Sequence, residues 1–112
     1  MKIKQLSFPL RNEPYNKRLF QVYDEQLEIQ YGTVFLKKGT RIPEEGFTKH
    51  PYYEFSWLQS GKIEVLTEDG TVSGYLDQGD IVSLEPHEPQ AGNVLEDTYI
   101  MYTLIKSNDN GK

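Results

Sequence analysis

Short β segments separated by turn residues run through most of this chain, and they restrict it to an all-β fold. From Arg18 onward, segments rich in aromatic and β-branched residues alternate with Gly, Pro and Asp. Asp69-Gly70 is the clearest hairpin signal, because glycine adopts the positive φ that the turns matching strand twist require. Helix signals are nearly absent, and this spacing of strands is typical of a sandwich or a barrel.

The turn residues divide the chain into eight predicted strands. Asp24-Glu25 is expected to reverse the chain between the first two, Gly32 to separate the second from the third, and residues 40–47 to form a loop. Gly61, Gly70 and Gly79 are interpreted as turn glycines. The predicted strands are 18–23, 26–31, 33–37, 50–59, 62–68, 71–76, 81–84 and 98–105.

The two ends differ from this middle part. Residues 1–17 carry Ile3, Leu6, Phe8 and Leu10 in a strand-like pattern that stops before Pro14, and they are predicted to be an N-terminal extension or an edge strand. Residues 18–106 form the barrel, and the polar stretch 107–112 is predicted to be a disordered tail. The length of 112 residues suits one domain. A domain of this size buries limited area, so we expect it to gain stability by forming a homodimer.

Composition excludes several classes of function. A net charge of -5 without a block of Lys and Arg argues against a nucleic-acid partner. The chain has no cysteine, so disulfides and thiolate ligands are absent. Its first twenty residues lack the apolar core of a signal peptide, and no segment approaches the ~20 apolar residues of a membrane span. We therefore predict a cytoplasmic protein with no membrane partner.

Two motifs between about residues 39 and 106 resemble those of the cupin family. In the first, Glu54 is followed by six residues and Gly61, and His50 stands four positions before Glu54. The family expects a further His where this chain has Thr48. The second motif begins at Gly79-Asp80 and an apolar run, and this chain has Gln90 where the family has its last His ligand.

The resemblance implies a small single-domain cupin-type β-barrel, a jelly roll of two facing antiparallel sheets. It also implies one divalent transition-metal ion (Fe, Ni, Mn or Zn), with His50, Glu54 and Gln90 as the ligands. Gln90 supplies a neutral amide oxygen in place of an imidazole, so this set is poorer than three His and one Glu, and the alternative is no metal at all.

Geometry sets a condition on this site. In a straight strand His50 and Glu54 would lie about 13 Å apart at ~3.3 Å per residue, too far for one ion. Joint ligation therefore requires a bend, and Pro51 favours one because it lacks a backbone donor. Without the bend, both residues would be inward polar groups bonded to neighbours.

The remaining side chains of these segments divide between pocket, surface and core. Tyr52 and Thr48 are predicted to line the pocket, with the Tyr52 hydroxyl available to a ligand. His87 is expected in an exposed loop between Pro86 and Glu88. Phe55 and Trp57 alternate with Glu54 and are expected to be buried as core residues.

Two functions from different classes fit these residues. The first is a metal-assisted enzyme for a small polar substrate, in which Glu54 or His50 moves a proton as the catalytic residue. The second is a non-catalytic protein with a degenerate metal site, which binds a small molecule or serves a structural role. Any substrate or ligand of these functions is expected to be a small molecule.

Overall fold

The chain folds into antiparallel β-strands, and the computed structural model describes residues 1–108. No helix long and apolar enough to cross a membrane occurs in that range. The seven strands are β1 (Asn16–Tyr23), β2 (Leu27–Leu36), β3 (Arg41–Ile42), β4 (Tyr53–Leu66), β5 (Val72–Asp77), β6 (Ile81–Leu84) and β7 (Gly92–Ser107).

The strands join in the order β1-β2-β7-β4-β5, with β3 added to β7 and β6 added to β4. The long strands β4 and β7 each change partners along their length. Residues 53–58 of β4 pair with β6 and with the second part of β7, which also pairs with β2. Residues 62–66 of β4 pair with β5 and with the first part of β7, which also pairs with β3. The result is the predicted pair of facing sheets.

The apolar core lies between these two sheets. Its buried centre is Leu36 from β2, Ile63 from β4 and Val94 from β7. Side chains from both sheets pack against this centre, which closes the barrel at this end and leaves the other end to polar residues. The surrounding residues are Val34, Ile42, Leu76 and Ile100.

Two predicted strand breaks were wrong. Strand β2 runs unbroken through Gly32, where a Cβ atom would lie 2.6 Å from the Tyr102 hydroxyl, so this glycine permits a close side-chain approach rather than a turn. Strand β4 runs unbroken through Gly61, which has a φ of 111° and lies at shifts of register between residues 58 and 63. Gly61 therefore makes a β-bulge and not a hairpin.

The N-terminal extension forms no strand over residues 1–15, and its last two residues, Asn16 and Lys17, begin β1. It lies against the barrel, with the Thr33 hydroxyl donating to the Ser7 carbonyl at 2.7 Å. At the other end, Ser107 is the last residue of β7 and the Asn108 backbone donates to Gln26. The rest of the predicted tail, residues 109–112, lies outside the described residues.

The hairpin between β4 and β5 confirms the turn predicted at Asp69-Gly70. The Thr67 backbone donates to the Thr71 carbonyl at 2.8 Å, and Gly70 has a φ of 88°. The Asp69 carboxylate accepts hydrogen bonds from the hydroxyls of Thr67 and Thr71, which lower its pKa to about 2. The loop therefore contains three residues and places its glycine in the left-handed conformation.

Gly70→Val should destabilise the protein by about 1 kcal/mol or more, because a β-branched residue is strained at this φ. Thermal unfolding monitored by circular dichroism measures the change. Gly74→Val is the matched control, since Gly74 lies within β5 with open space where its Cβ would be. Equal melting temperatures for the two variants would contradict the role of Gly70.

Candidate functional site

Backbone hydrogen bonds fasten the two motif segments to each other. The backbone groups of Thr48 and Gln90 bond in both directions at 2.9 and 3.0 Å. The His87 backbone also donates to the His50 carbonyl at 2.7 Å. These three bonds hold the loop before β4 against the loop before β7, so the side chains of His50 and Gln90 face one another.

A bend at Pro51 and Tyr52 brings His50 to Glu54. Strand β4 begins only at Tyr53, so His50 lies before the strand and its ring turns back towards the carboxylate. His50 Nε2 lies 3.0 Å from Glu54 Oε1, and both side chains are largely buried. His50 and Glu54 therefore converge, as joint binding of one ion would require.

Gln90 and Ser56 complete this polar cluster. Gln90 Nε2 lies 3.4 Å from His50 Nε2, and the Ser56 hydroxyl donates to Glu54 Oε2 at 2.6 Å. The Tyr52 backbone N–H points at His50 Nδ1 at 3.4 Å. His50 and Ser56 thus each bond to the Glu54 carboxylate, and the Gln90 amide lies against the His50 ring. We call these four side chains the His50 cluster.

The donor set of the His50 cluster does not fit a transition-metal site of the usual type. Such sites take three or more imidazole, thiolate or carboxylate ligands, and the cluster offers one imidazole and one carboxylate. Among residues 1–108, no group of three His, Cys, Asp or Glu is placed to hold a metal ion. Gln90 is the third possible ligand, and its amide nitrogen lies 3.4 Å from the imidazole nitrogen that a metal would need.

Strand alternation sorts the residues of β4 between pocket and surface, and it corrects the prediction for its aromatics. Glu54, Ser56 and Leu58 point inward, and Leu58 is 1% exposed. Phe55 and Trp57 point outward and are 46% and 39% exposed. The expectation that these two form the core was wrong, because the inner side of the strand is the one that carries the carboxylate.

A second polar cluster, absent from the sequence analysis, lies beside the first. The Tyr52 hydroxyl donates to Glu28 Oε2 at 3.0 Å, and Gln30 Nε2 donates to the same oxygen at 2.8 Å. Lys106 Nζ lies 4.0 Å from Glu28 Oε1 and 5.5 Å from the centre of the Tyr52 ring. Two polar residues at alternate positions of β2 were the signal available in the sequence: Glu28 and Gln30 have the spacing of one strand face.

Tyr52 joins the two clusters. Its ring lies edge-on to the His50 ring, with 5.7 Å between centroids, and its hydroxyl reaches Glu28. Tyr52 therefore lies between His50 and Glu28, with its hydroxyl engaged by Glu28. Burial raises the pKa of Tyr52, and the hydrogen bond and charge of Glu28 raise it further.

Hydrogen bonding keeps Glu28 ionised although its side chain is buried. The Gln30 amide lowers the pKa of Glu28 most, and the Tyr52 hydroxyl and the charges of Lys106 and Arg18 add to this against the opposing effect of burial. A buried carboxylate with these partners is fixed in position as a negative charge. The pocket wall is therefore rich in acceptors.

An open cleft adjoins the second cluster. It has a volume of about 690 Å³ and includes Lys106, the residue that also faces Glu28. Its lining is formed by the turn between β1 and β2 and by the end of β7: Tyr23, Asp24, Glu25, Lys106, Ser107 and Asn108. The cleft thus borders the second cluster at Lys106.

His87 is exposed, as predicted for a loop residue. It has a φ of 65°, a left-handed conformation that is uncommon for a residue other than glycine. Its backbone, and not its ring, serves the site, through the bond to the His50 carbonyl.

Solved structures with this fold are cupins and related double-stranded β-helix proteins. An RmlC-like cupin from Shewanella frigidimarina has a TM-score of 0.60 and 18% identity, with 96% of this chain and 94% of that chain covered. An uncharacterised protein with a double-stranded β-helix domain from Klebsiella pneumoniae has a TM-score of 0.62 and 17% identity, covering 92% and 84%. No family model matches this chain, and no curated protein matches it in sequence.

The match to one solved enzyme covers less than half of that enzyme. The DMSP lyase DddQ from Ruegeria pomeroyi has a TM-score of 0.55 and 20% identity, and the match covers 80% of this chain but 42% of the lyase. At such identities the likeness extends to the fold. The chain therefore has the cupin fold, as its two motifs predicted.

Glu28→Gln should lower the pKa of Tyr52, because the substitution removes the negative charge and the charged acceptor beside the hydroxyl. The pKa should remain above its ordinary value, since burial is the larger cause. Nuclear magnetic resonance titration of ring-labelled tyrosine measures it. Tyr102 is an internal control, because burial also raises its pKa but Glu28 is not among the causes. An unchanged Tyr52 would contradict the contact.

Proposed function

We propose that this chain is a cupin-fold protein that binds a small polar molecule between the His50 cluster and Tyr52, without metal and without turnover. The observation that carries the proposal is the contact of 3.0 Å between His50 Nε2 and Glu54 Oε1, with Gln90 at 3.4 Å from the same nitrogen. The residues that align with family metal ligands bond to one another. A ligand that exchanges hydrogen bonds with them needs no metal to be held.

The chemistry of the wall favours a ligand that donates hydrogen bonds. Carboxylate oxygens accept hydrogen bonds, and the wall carries two carboxyl groups, Glu28 beside Tyr52 and Glu54 beside His50. Lys106 is the cation placed next to this wall. Hydroxyl or amino groups would therefore bind here more readily than a second anion would.

A metal-dependent enzyme is the second candidate, and one observation favours it. His50 and Glu54 converge despite their separation in sequence, as ligands to one ion must. Bound there, a divalent ion would supply Lewis-acid chemistry, with His50, Glu54 and Gln90 as the available donors. The incomplete donor set is the reason that this candidate ranks second.

Glu54→Gln should weaken binding of a polar ligand by tenfold or more, because it replaces a charged acceptor with a neutral amide of the same shape. The probes are erythritol, glycerate and ethanolamine, which represent a polyol, a hydroxy acid and an amino alcohol. Isothermal titration calorimetry measures each affinity. His87→Ala is the matched control, since the His87 ring is exposed, and it should bind as the native protein does. Equal affinities for Glu54→Gln and native protein would contradict the proposed pocket.

Gln90→His should create a transition-metal site, because it adds a second imidazole to the His50 cluster. Elemental analysis of untagged protein should find less than about a tenth of a metal ion per chain in the native form and near one in the variant, after exposure to Zn²⁺ or Ni²⁺. His50→Ala in the Gln90→His background should remove that metal. A native protein with one metal per chain, lost in His50→Ala, would replace the binder with the metal-dependent enzyme.

A further inference from the structure

The outward side of the sheet that contains the pocket carries a broad apolar surface. Residues opposite each other in register share one side of a sheet, so Phe55 lies in one row with Thr103 and Tyr31, and Trp57 in the next with Met101. We call the whole set the outer face. It spans β6, β4, β7 and β2, and its members are Ile81, Ser83, Tyr53, Phe55, Trp57, Met101, Thr103, Ile105, Ile29, Tyr31 and Thr33.

None of these eleven members of the outer face is charged, although 26% of the residues in the chain are charged. The nearest charge in register is Lys17 on the edge strand β1, opposite Thr33. Antiparallel sheets with one side in water place polar residues on that side. Tyr53, Phe55 and Ile81 are instead 51%, 46% and 77% exposed. The outer face therefore has the composition of a contact surface and not of a solvated one.

The exposed area is close to what a stable dimer requires. With 150–250 Å² for a large side chain, the exposed parts of the six most accessible residues sum to roughly 600 Å². An interface of standard size buries ~800 Å² on each partner, and the half-buried neighbours in the same rows supply further area. Five of the six belong to the outer face, namely Tyr31, Tyr53, Phe55, Trp57 and Ile81, and the sixth, Val22, borders it on β1 opposite Ile29.

The N-terminal extension covers one margin of the outer face and stops there. Thr33 is fully buried beneath it, through the bond from its hydroxyl to Ser7. Lys4 Nζ lies 5.1 Å from the centre of the Phe20 ring, at the β1 edge. The extension therefore protects the β1 and β2 side, and the rows on β4 and β6 are left without cover from residues 1–17.

We propose that a second copy of this chain packs on the outer face, in a two-fold symmetric dimer of sheet against sheet. Two chains of net charge -5 repel each other, and an uncharged face lets them meet without bringing those charges into contact. A face without charge offers no charge complementarity to select a different protein. Aromatic residues and Met at its centre are typical of homodimer interfaces.

The pocket stays open in this dimer, because it lies on the opposite side of the same sheet. Along β4, Glu54 and Ser56 point into the barrel and Phe55 and Trp57 point out. Ligand binding and dimerisation can thus be measured separately, and loss of one does not imply loss of the other.

Sedimentation equilibrium tests the dimer, and Trp57 supplies a second signal because it is the single tryptophan of the chain. Native protein at micromolar concentration should have twice the chain mass of 13.0 kDa. Ile81→Glu should raise the dimer dissociation constant at least tenfold, because it places a charge in the apolar contact. Dilution to monomer should shift Trp57 fluorescence to longer wavelength. Ile81 is suited to the test because its exposure in the single chain leaves folding unaffected.

Val72→Glu is the matched control, since Val72 is an exposed apolar residue on β5, away from the outer face. It should keep the native mass and fluorescence. Phe55→Glu serves as a second test variant, with circular dichroism to confirm that it is folded. A native protein that is monomeric at tens of micromolar would overturn the proposal, and so would Ile81→Glu and Phe55→Glu proteins that both remain dimeric.

Discussion

The contact between Gly61 and Thr98 is the constraint on which the rest of the barrel depends. At this point the two longest strands shift register, and a Cβ on residue 61 would lie 2.5 Å from the Thr98 Cα. Thr98 is fully buried, and its hydroxyl accepts from the Lys62 backbone and donates to Glu96. Because this bulge lets β4 and β7 pass from one sheet into the other, the two sheets share their central strands and fold over one core.

The two ends of the barrel are stabilised in different ways. At one end Leu36, Ile63 and Val94 exclude water, and at the other the loops before β4 and β7 bond through their backbones. The backbone hydrogen bond from residue 87 holds His50 in place regardless of the side chain at residue 87. His87 therefore contributes to the position of His50 through its backbone and not through its exposed ring. A ligand site built on such bonds, as we propose, would be preorganised, and little free energy would be needed to order it.

Sequence reasoning succeeded where one residue type has one physical use. Gly70 and Gly79 were recognised as turn glycines, and both have positive φ within turns. It failed at Gly32 and Gly61, because close approach by Tyr102 and Thr98 depends on strands distant in sequence.

The predictions for the site succeeded and failed for similar reasons. Motif spacing identified His50, Glu54 and Gln90, which do meet, and the bend at Pro51 was expected from proline chemistry. Glu28 was missed because its partners Tyr52 and Lys106 are distant from it in sequence. The aromatics of β4 were misplaced because alternation shows which residues share a side and not which side faces the core. Strict alternation along 53–58 also makes the two surfaces of β4 inseparable: an inserted or deleted residue there would turn the carboxylate to solvent and the aromatics into the barrel. This segment should therefore tolerate substitutions better than insertions or deletions, because its length determines which side chains face the barrel.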